Sequence, residues 1–170
     1  MFLGRTEELA ALNESYNSGK NTLTVLYGRT GIGKTELIKE FIKDKTCVYY
    51  VAPQSSSSQQ EEIMLESLGM QLEDEQISEM ALPMGVDAPK GYDELLPYIY
   101  NIKAPVKLLI VEEFQNIVKQ NKGFMDSIKK LVEGEYDGKY GTGHVMVVCT
   151  SSSISWIENS LVSTIGTNAL

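Results

Sequence analysis

Residues Gly28 to Thr35 read Gly-Arg-Thr-Gly-Ile-Gly-Lys-Thr and match the pattern G-x-x-x-x-G-K-[ST]. This stretch constrains the chain more than any other, because the pattern is a device for holding phosphate. Its glycines let the backbone turn tightly enough for successive N–H groups to point at one anion. A helix that follows adds its unpaired amides and the positive end of its dipole. The ammonium of Lys34 reaches the terminal phosphates, and the Thr35 hydroxyl is placed to ligate Mg²⁺. The candidate phosphate-binding set is Gly28, Arg29, Thr30, Gly31, Ile32, Gly33, Lys34, Thr35 and the next residue, Glu36. The alternative is a glycine-rich turn that holds nothing.

The flanks decide between the two. Thr22 to Tyr27 is rich in β-branched and aromatic residues and reads as a buried strand. Leu37, Ile38, Phe41 and Ile42 lie on one face of a helix. Strand, glycine loop and helix therefore come in the order a phosphate site requires.

The same alternation runs through the chain. Further strands are predicted over Thr46–Ala52, Val106–Val111 and Val145–Thr150. Helices are predicted around Leu9, Leu12 and Tyr16, over Ile63 to about Leu82 with Gly69 as the candidate break, and from Tyr92 to Ile102. Two more are predicted from Phe124 to Val132 and over Ile154–Val162. Apolar strands alternating with amphipathic helices imply an α/β fold, a mostly parallel sheet covered on both faces. Ligands on such sheets sit at the carboxyl ends of the strands. The phosphate loop, Glu112-Glu113 and Thr150-Ser151 all fall there.

The 170 residues suffice for a single domain spanning 1–170. With 15 Lys and Arg against 23 Asp and Glu the net charge is −8. An acidic chain without a basic stripe is a poor nucleic-acid binder, so no direct nucleic-acid partner is expected. No stretch is apolar and long enough for a membrane span, and no basic leader precedes an apolar run. Cys47 and Cys149 both lie in predicted strands and read as core thiols in a reducing compartment, so a cytoplasmic location is expected.

Hydrolysis of a bound triphosphate needs an acid for the metal and a group that orients water. Glu112 and Glu113 end an apolar strand, where both roles can be filled. Glu112 is the candidate Mg²⁺ ligand, through water, and Glu113 the candidate base. Two adjacent carboxylates also repel unless a cation lies between them. The alternative is a solvated strand end. The run Thr150 to Ser153 offers hydroxyls to the terminal phosphate or to the attacking water, with Ser151 the candidate catalytic hydroxyl. It equally suits a helix N-cap.

Phe2-Leu3-Gly4-Arg5 followed by Glu8-Leu9 resembles the F-x-G-R-x-x-E-L box that opens archaeal-type ATPases and other STAND-like members of the AAA superfamily. Gly28–Thr35 is similar to their Walker A, Val111-Glu112-Glu113-Phe114-Gln115 to their Walker B, and Val148–Ser152 to their sensor-1 strand. The resemblance implies a three-layer P-loop NTPase fold with sheet order 5-1-4-3-2, ATP and Mg²⁺ as cofactors, and an adenine pocket built partly by Gly4 and Arg5. Two departures stand out. The Walker B aspartate is Glu112, which moves the carboxylate by roughly 1.5 Å, about one C–C bond. Only 20 residues follow Thr150. The fifth strand, lid and C-terminal winged helix are therefore expected to be mostly or wholly absent, the chain being the N-terminal part of a longer protein. An uncovered first strand would then promote self-association.

Three function classes remain. The first is an ATPase switch or motor that passes its nucleotide state to other regions or to an unidentified protein partner. The second is a small-molecule kinase, disfavoured because the chain has no arginines besides Arg5 and Arg29. The third is a non-hydrolysing nucleotide module, kept open by the Glu112 departure.

Overall fold

Side-chain alternation in the strands sets the layers. In β3 (Val106–Glu112), Leu108 and Ile110 face one side of the sheet while Leu109 and Val111 face the other. In β4 (His144–Ser151), Met146 and Val148 join the first side, and Val145, Val147 and Cys149 the second. Both faces are apolar, so both must be covered. The first is covered by α1 (Thr6–Tyr16) and α2 (Lys34–Ile42), through Leu12, Leu37, Ile38 and Phe41. The second is covered by α3 (Ser57–Gln71), α5 (Tyr92–Leu95), the 3₁₀ helix Leu96–Asn101, α6 (Gln115–Gln120) and α7 (Gly123–Val132). This computed structural model describes residues 6–28, 33–80, 89–153, 156 and 168–169.

The sheet is parallel. β1 (Thr22–Tyr27) pairs with β4, β4 with β3, and β3 with β2 (Cys47–Val51). β5 (Asn168–Ala169) lies on the far side of β1, so the order is β2-β3-β4-β1-β5. That is the predicted order read from the opposite edge. One expectation is corrected: the fifth strand is present, as a two-residue strand paired with Thr24 and Val25. The β1 edge is therefore covered at Thr24 and Val25, where an open edge was expected to recruit other chains. Deleting residues 163–170 should expose that edge and produce self-association, read as concentration-dependent light scattering.

At the opposite edge, the Gln71 carboxamide substitutes for a neighbouring strand. Its Oε1 accepts the Tyr49 amide at 2.6 Å and its Nε2 donates to the Tyr49 carbonyl at 2.8 Å. Gln71 belongs to α3, which starts at Ser57 with Ser56 as N-cap, so the four serines Ser55 to Ser58 bracket a helix start.

The long helix predicted to Leu82 is broken after Gln71, and Gly69 is not the break. Glu73 turns the chain at φ 54°, and Asp74 caps α4 (Glu75–Met80) by accepting the Ile77 amide at 3.2 Å. Gly69 is required for another reason. A Cβ there would lie 2.3 Å from Ser78 Oγ and 2.9 Å from Ser78 Cα, because α4 folds back against α3. Gly69→Ala should therefore destabilise by about 1–3 kcal/mol. Thermal unfolding should fall by roughly 2–4 °C per kcal/mol.

The predicted Tyr92–Ile102 helix is one α turn followed by 3₁₀ geometry. Pro97 lacks the N–H that would continue the α ladder. The helix predicted over Ile154–Val162 lies outside the described residues except for helical Trp156, whose ring meets Phe114 edge-on at 5.5 Å.

Candidate functional site

The start of α2 and the carboxyl ends of β3 and β4 meet at one cleft of about 360 Å³, a volume typical of small-ligand sites. Gly33, Lys34, Thr35, Glu36, Glu112, Glu113, Thr150 and Ser152 line it. Gly33 stands at the N-cap of α2 with φ 91°, a left-handed conformation suited to glycine, and has no side chain of its own to cap this end. The first-turn amides of a helix have no intrahelical acceptors, so this end favours an anion. Lys34 Nζ donates to the Gly28 carbonyl at 2.6 Å, and the Gly28 amide donates to the Ser151 carbonyl at 3.1 Å. The two ends of the glycine loop are thus tied to each other and to β4. Arg29, Thr30, Gly31 and Ile32 lie outside the described residues, as do Gly4 and Arg5.

Across the cleft stand the two carboxylates. Successive residues of a strand point to opposite faces, yet Glu112 and Glu113 both line this cleft. The backbone explains it: Glu113 has φ 56°, in the left-handed region, and leaves the ladder. Such a conformation costs on the order of 1–3 kcal/mol for a non-glycine residue and is concentrated at functional sites. β3 has ended by then, and the Phe114 amide, at the N-cap of α6, donates to the Thr150 carbonyl at 3.0 Å. The Glu113 amide faces Thr150 Oγ1 at 3.4 Å.

The two acids have different surroundings. Glu112 is buried at the end of β3, and its carbonyl accepts the Ala52 amide at 2.9 Å. Burial first, and the nearby Glu112 carboxylate second, push the Tyr49 phenol well above its ordinary range. Glu113 is half-buried and accepts hydrogen bonds from the Ser152 amide (3.0 Å), the Ser152 hydroxyl (2.7 Å) and Gln115 Nε2 (2.7 Å).

Ser151, the candidate catalytic hydroxyl, is not among the residues that line the cleft. Its side chain is wholly buried, and its hydroxyl accepts the Ser153 amide at 3.0 Å. β4 runs one residue further than predicted, with Ser151 still paired opposite Tyr27. On the β4 side the hydroxyls that line the cleft belong to Thr150 and Ser152, opposite Thr35 on α2. Sequence reasoning also passed over Gln115 and Tyr49. Gln115 was visible as the last residue of the Val111–Gln115 motif, whereas nothing in the sequence marks Tyr49.

Among the described lining residues, three carboxylates face one ammonium, so a polyanion would enter this cleft more favourably with a cation. No cluster of three or more His, Cys, Asp or Glu among the described residues could hold a metal alone. One hydroxyl and one carboxylate suit a hard cation that keeps its waters and shares phosphate oxygens, as Mg²⁺ does. No helix among the described residues is long and apolar enough to cross a membrane.

A family model, described as an ATPase domain predominantly from Archaea, matches residues 2–167. An uncharacterised protein of Methanocaldococcus jannaschii is 25% identical over 133 residues, 78% of this chain and 26% of that protein. An uncharacterised ATP-binding protein of the same organism is 49% identical over 45 residues, 26% of this chain and 76% of that protein. The fold is shared with a Walker-type ATPase of Pyrococcus abyssi, at TM-score 0.61 and 15% identity, covering 98% of this chain and 50% of that one. It is also shared with the ORC2 protein of Aeropyrum pernix in its ADPNP-ADP complexes, at TM-score 0.62 and 19% identity, covering 95% and 45%. The chain thus spans about a quarter of the first of these relatives and half or less of the two solved chains.

Proposed function

This chain belongs to the ATPase-domain family found predominantly in Archaea, and from that premise we propose that it binds Mg-ATP and hydrolyses the β–γ phosphoanhydride as a nucleotide switch. The observation that carries the reading is the left-handed turn at Glu113, which brings two adjacent carboxylates to face the start of α2 across one cleft.

In this reading the amides at the start of α2 and the Lys34 ammonium hold the β- and γ-phosphates. Gly28, Arg29, Thr30, Gly31, Ile32 and Gly33 form the rest of the cradle, with Glu36 at its outer end. Gly4 and Arg5 border the adenine. Thr35 and Glu112 hold Mg²⁺, which supplies charge neutralisation at the phosphate oxygens. Glu113 takes the role of water-orienting base: its carboxylate polarises a water toward phosphorus, and the β-phosphate oxygen leaves. Thr150 takes the place given to Ser151 in the sequence, while Ser152 borders the site through its hydrogen bonds to Glu113.

The second reading is a module that binds ATP without hydrolysing it. It is favoured by Glu112, whose carboxylate stands one methylene further from the backbone than an aspartate's would and lies near the Tyr49 phenol. Phosphate release from Mg-ATP, with and without added acceptor molecules, separates hydrolysis, transfer and mere binding. Acceptor-independent release is the expected result. A downstream domain, an unidentified protein partner and a cytoplasmic setting belong to the same proposal.

A further inference from the structure

Glu113 is more tightly held than a water-orienting carboxylate at a cleft requires. A carboxylate accepts about four hydrogen bonds. One oxygen of Glu113, Oε1, accepts the Ser152 amide at 3.0 Å; the other, Oε2, accepts the Ser152 hydroxyl and Gln115 Nε2, both at 2.7 Å. The donors come from the residues just after two different strands, β4 and β3.

Gln115 is only 5% exposed, and its Oε1 is buried with no hydrogen-bond partner among the described residues. Leaving a buried amide oxygen unpaired is costly. Turning the amide over would set that oxygen against the carboxylate, which is worse. The bond to Glu113 is therefore what fixes this side chain.

We propose that Ser152 and Gln115 are positioning residues that clamp the Glu113 carboxylate, leaving about one acceptor direction for water. The proposal rests on the hydrolytic reading above. Neither residue is assigned contact with the reacting atoms; both act through Glu113.

Steady-state and single-turnover hydrolysis of Mg-ATP test it in Ser152→Ala, Ser152→Thr and Gln115→Met. Loss of either donor should lower kcat on the order of tenfold, as when an outer partner of a functional group is removed. KM should stay near wild type, and Ser152→Thr, which keeps the hydroxyl, should recover most of the rate. In a Glu113→Ala background, Ser152→Ala should cost nothing further. An equal loss in both backgrounds would overturn the proposal, since Ser152 would then act on phosphate or water directly.

Urea unfolding of wild type, Ser152→Ala, Glu113→Ala and the double variant reads the clamp without turnover. The double variant should lose less stability than the sum of the single ones. Additive losses overturn the clamp. A wild-type chain that binds Mg-ATP but never turns over overturns the hydrolytic reading and the positioning role with it, even where the unfolding data show coupling.

Discussion

Mg-ATP is expected to raise the melting temperature of this chain, and Lys34→Ala to remove most of the rise. A ligand at a hundredfold excess over its Kd stabilises by about 2.7 kcal/mol. For a domain of this size that corresponds to roughly 5–11 °C. Lys34 is half-buried at the start of α2, and its ammonium already tethers the loop through the Gly28 carbonyl at 2.6 Å. Its loss removes both a phosphate contact and that tether. Differential scanning fluorimetry with Mg-ATP, and with Mg²⁺ alone as control, reads the effect. An undiminished shift in Lys34→Ala would place the nucleotide elsewhere.

The second large effect is expected from Glu113→Gln. The amide is nearly isosteric and leaves the cradle around Gly33, Lys34 and Thr35 in place, so ATP affinity should hold. It is a poor general base, and removal of such a group typically costs about 10²–10⁴-fold. The amide would also set an N–H against one of the three donors that now converge on the carboxylate. Binding measured by titration and turnover measured by phosphate release should therefore separate. Equal turnover in the variant and wild type would remove Glu113 from the chemistry.

The parts legible in the sequence are those set by short-range rules. The phosphate loop was legible because its glycines, lysine and threonine do local work. Strands β1, β3 and β4 were legible because burial on both faces makes them continuously apolar. The parts that escaped depend on tertiary contact. Gly69 looked like a helix breaker, yet it is a contact point for α4, and only the fold brings Ser78 against it. Ser151 was placed one residue too early in the turn, since periodicity cannot fix a strand end to better than a residue or two. The parity of the strand then exchanged it for Ser152. The left-handed turn at Glu113 was hidden because glutamate has no preference for that region. The fifth strand was missed because two paired residues carry no alternation to read.

Hydrolysis itself is the central claim, and its most direct measurement is phosphate release from Mg-ATP in water enriched in heavy oxygen. Released inorganic phosphate should carry one oxygen from the solvent, with or without added acceptors, and Glu113→Gln should release almost none. Intact ATP after prolonged incubation with a chain that demonstrably binds it would contradict the account and leave a nucleotide-binding module.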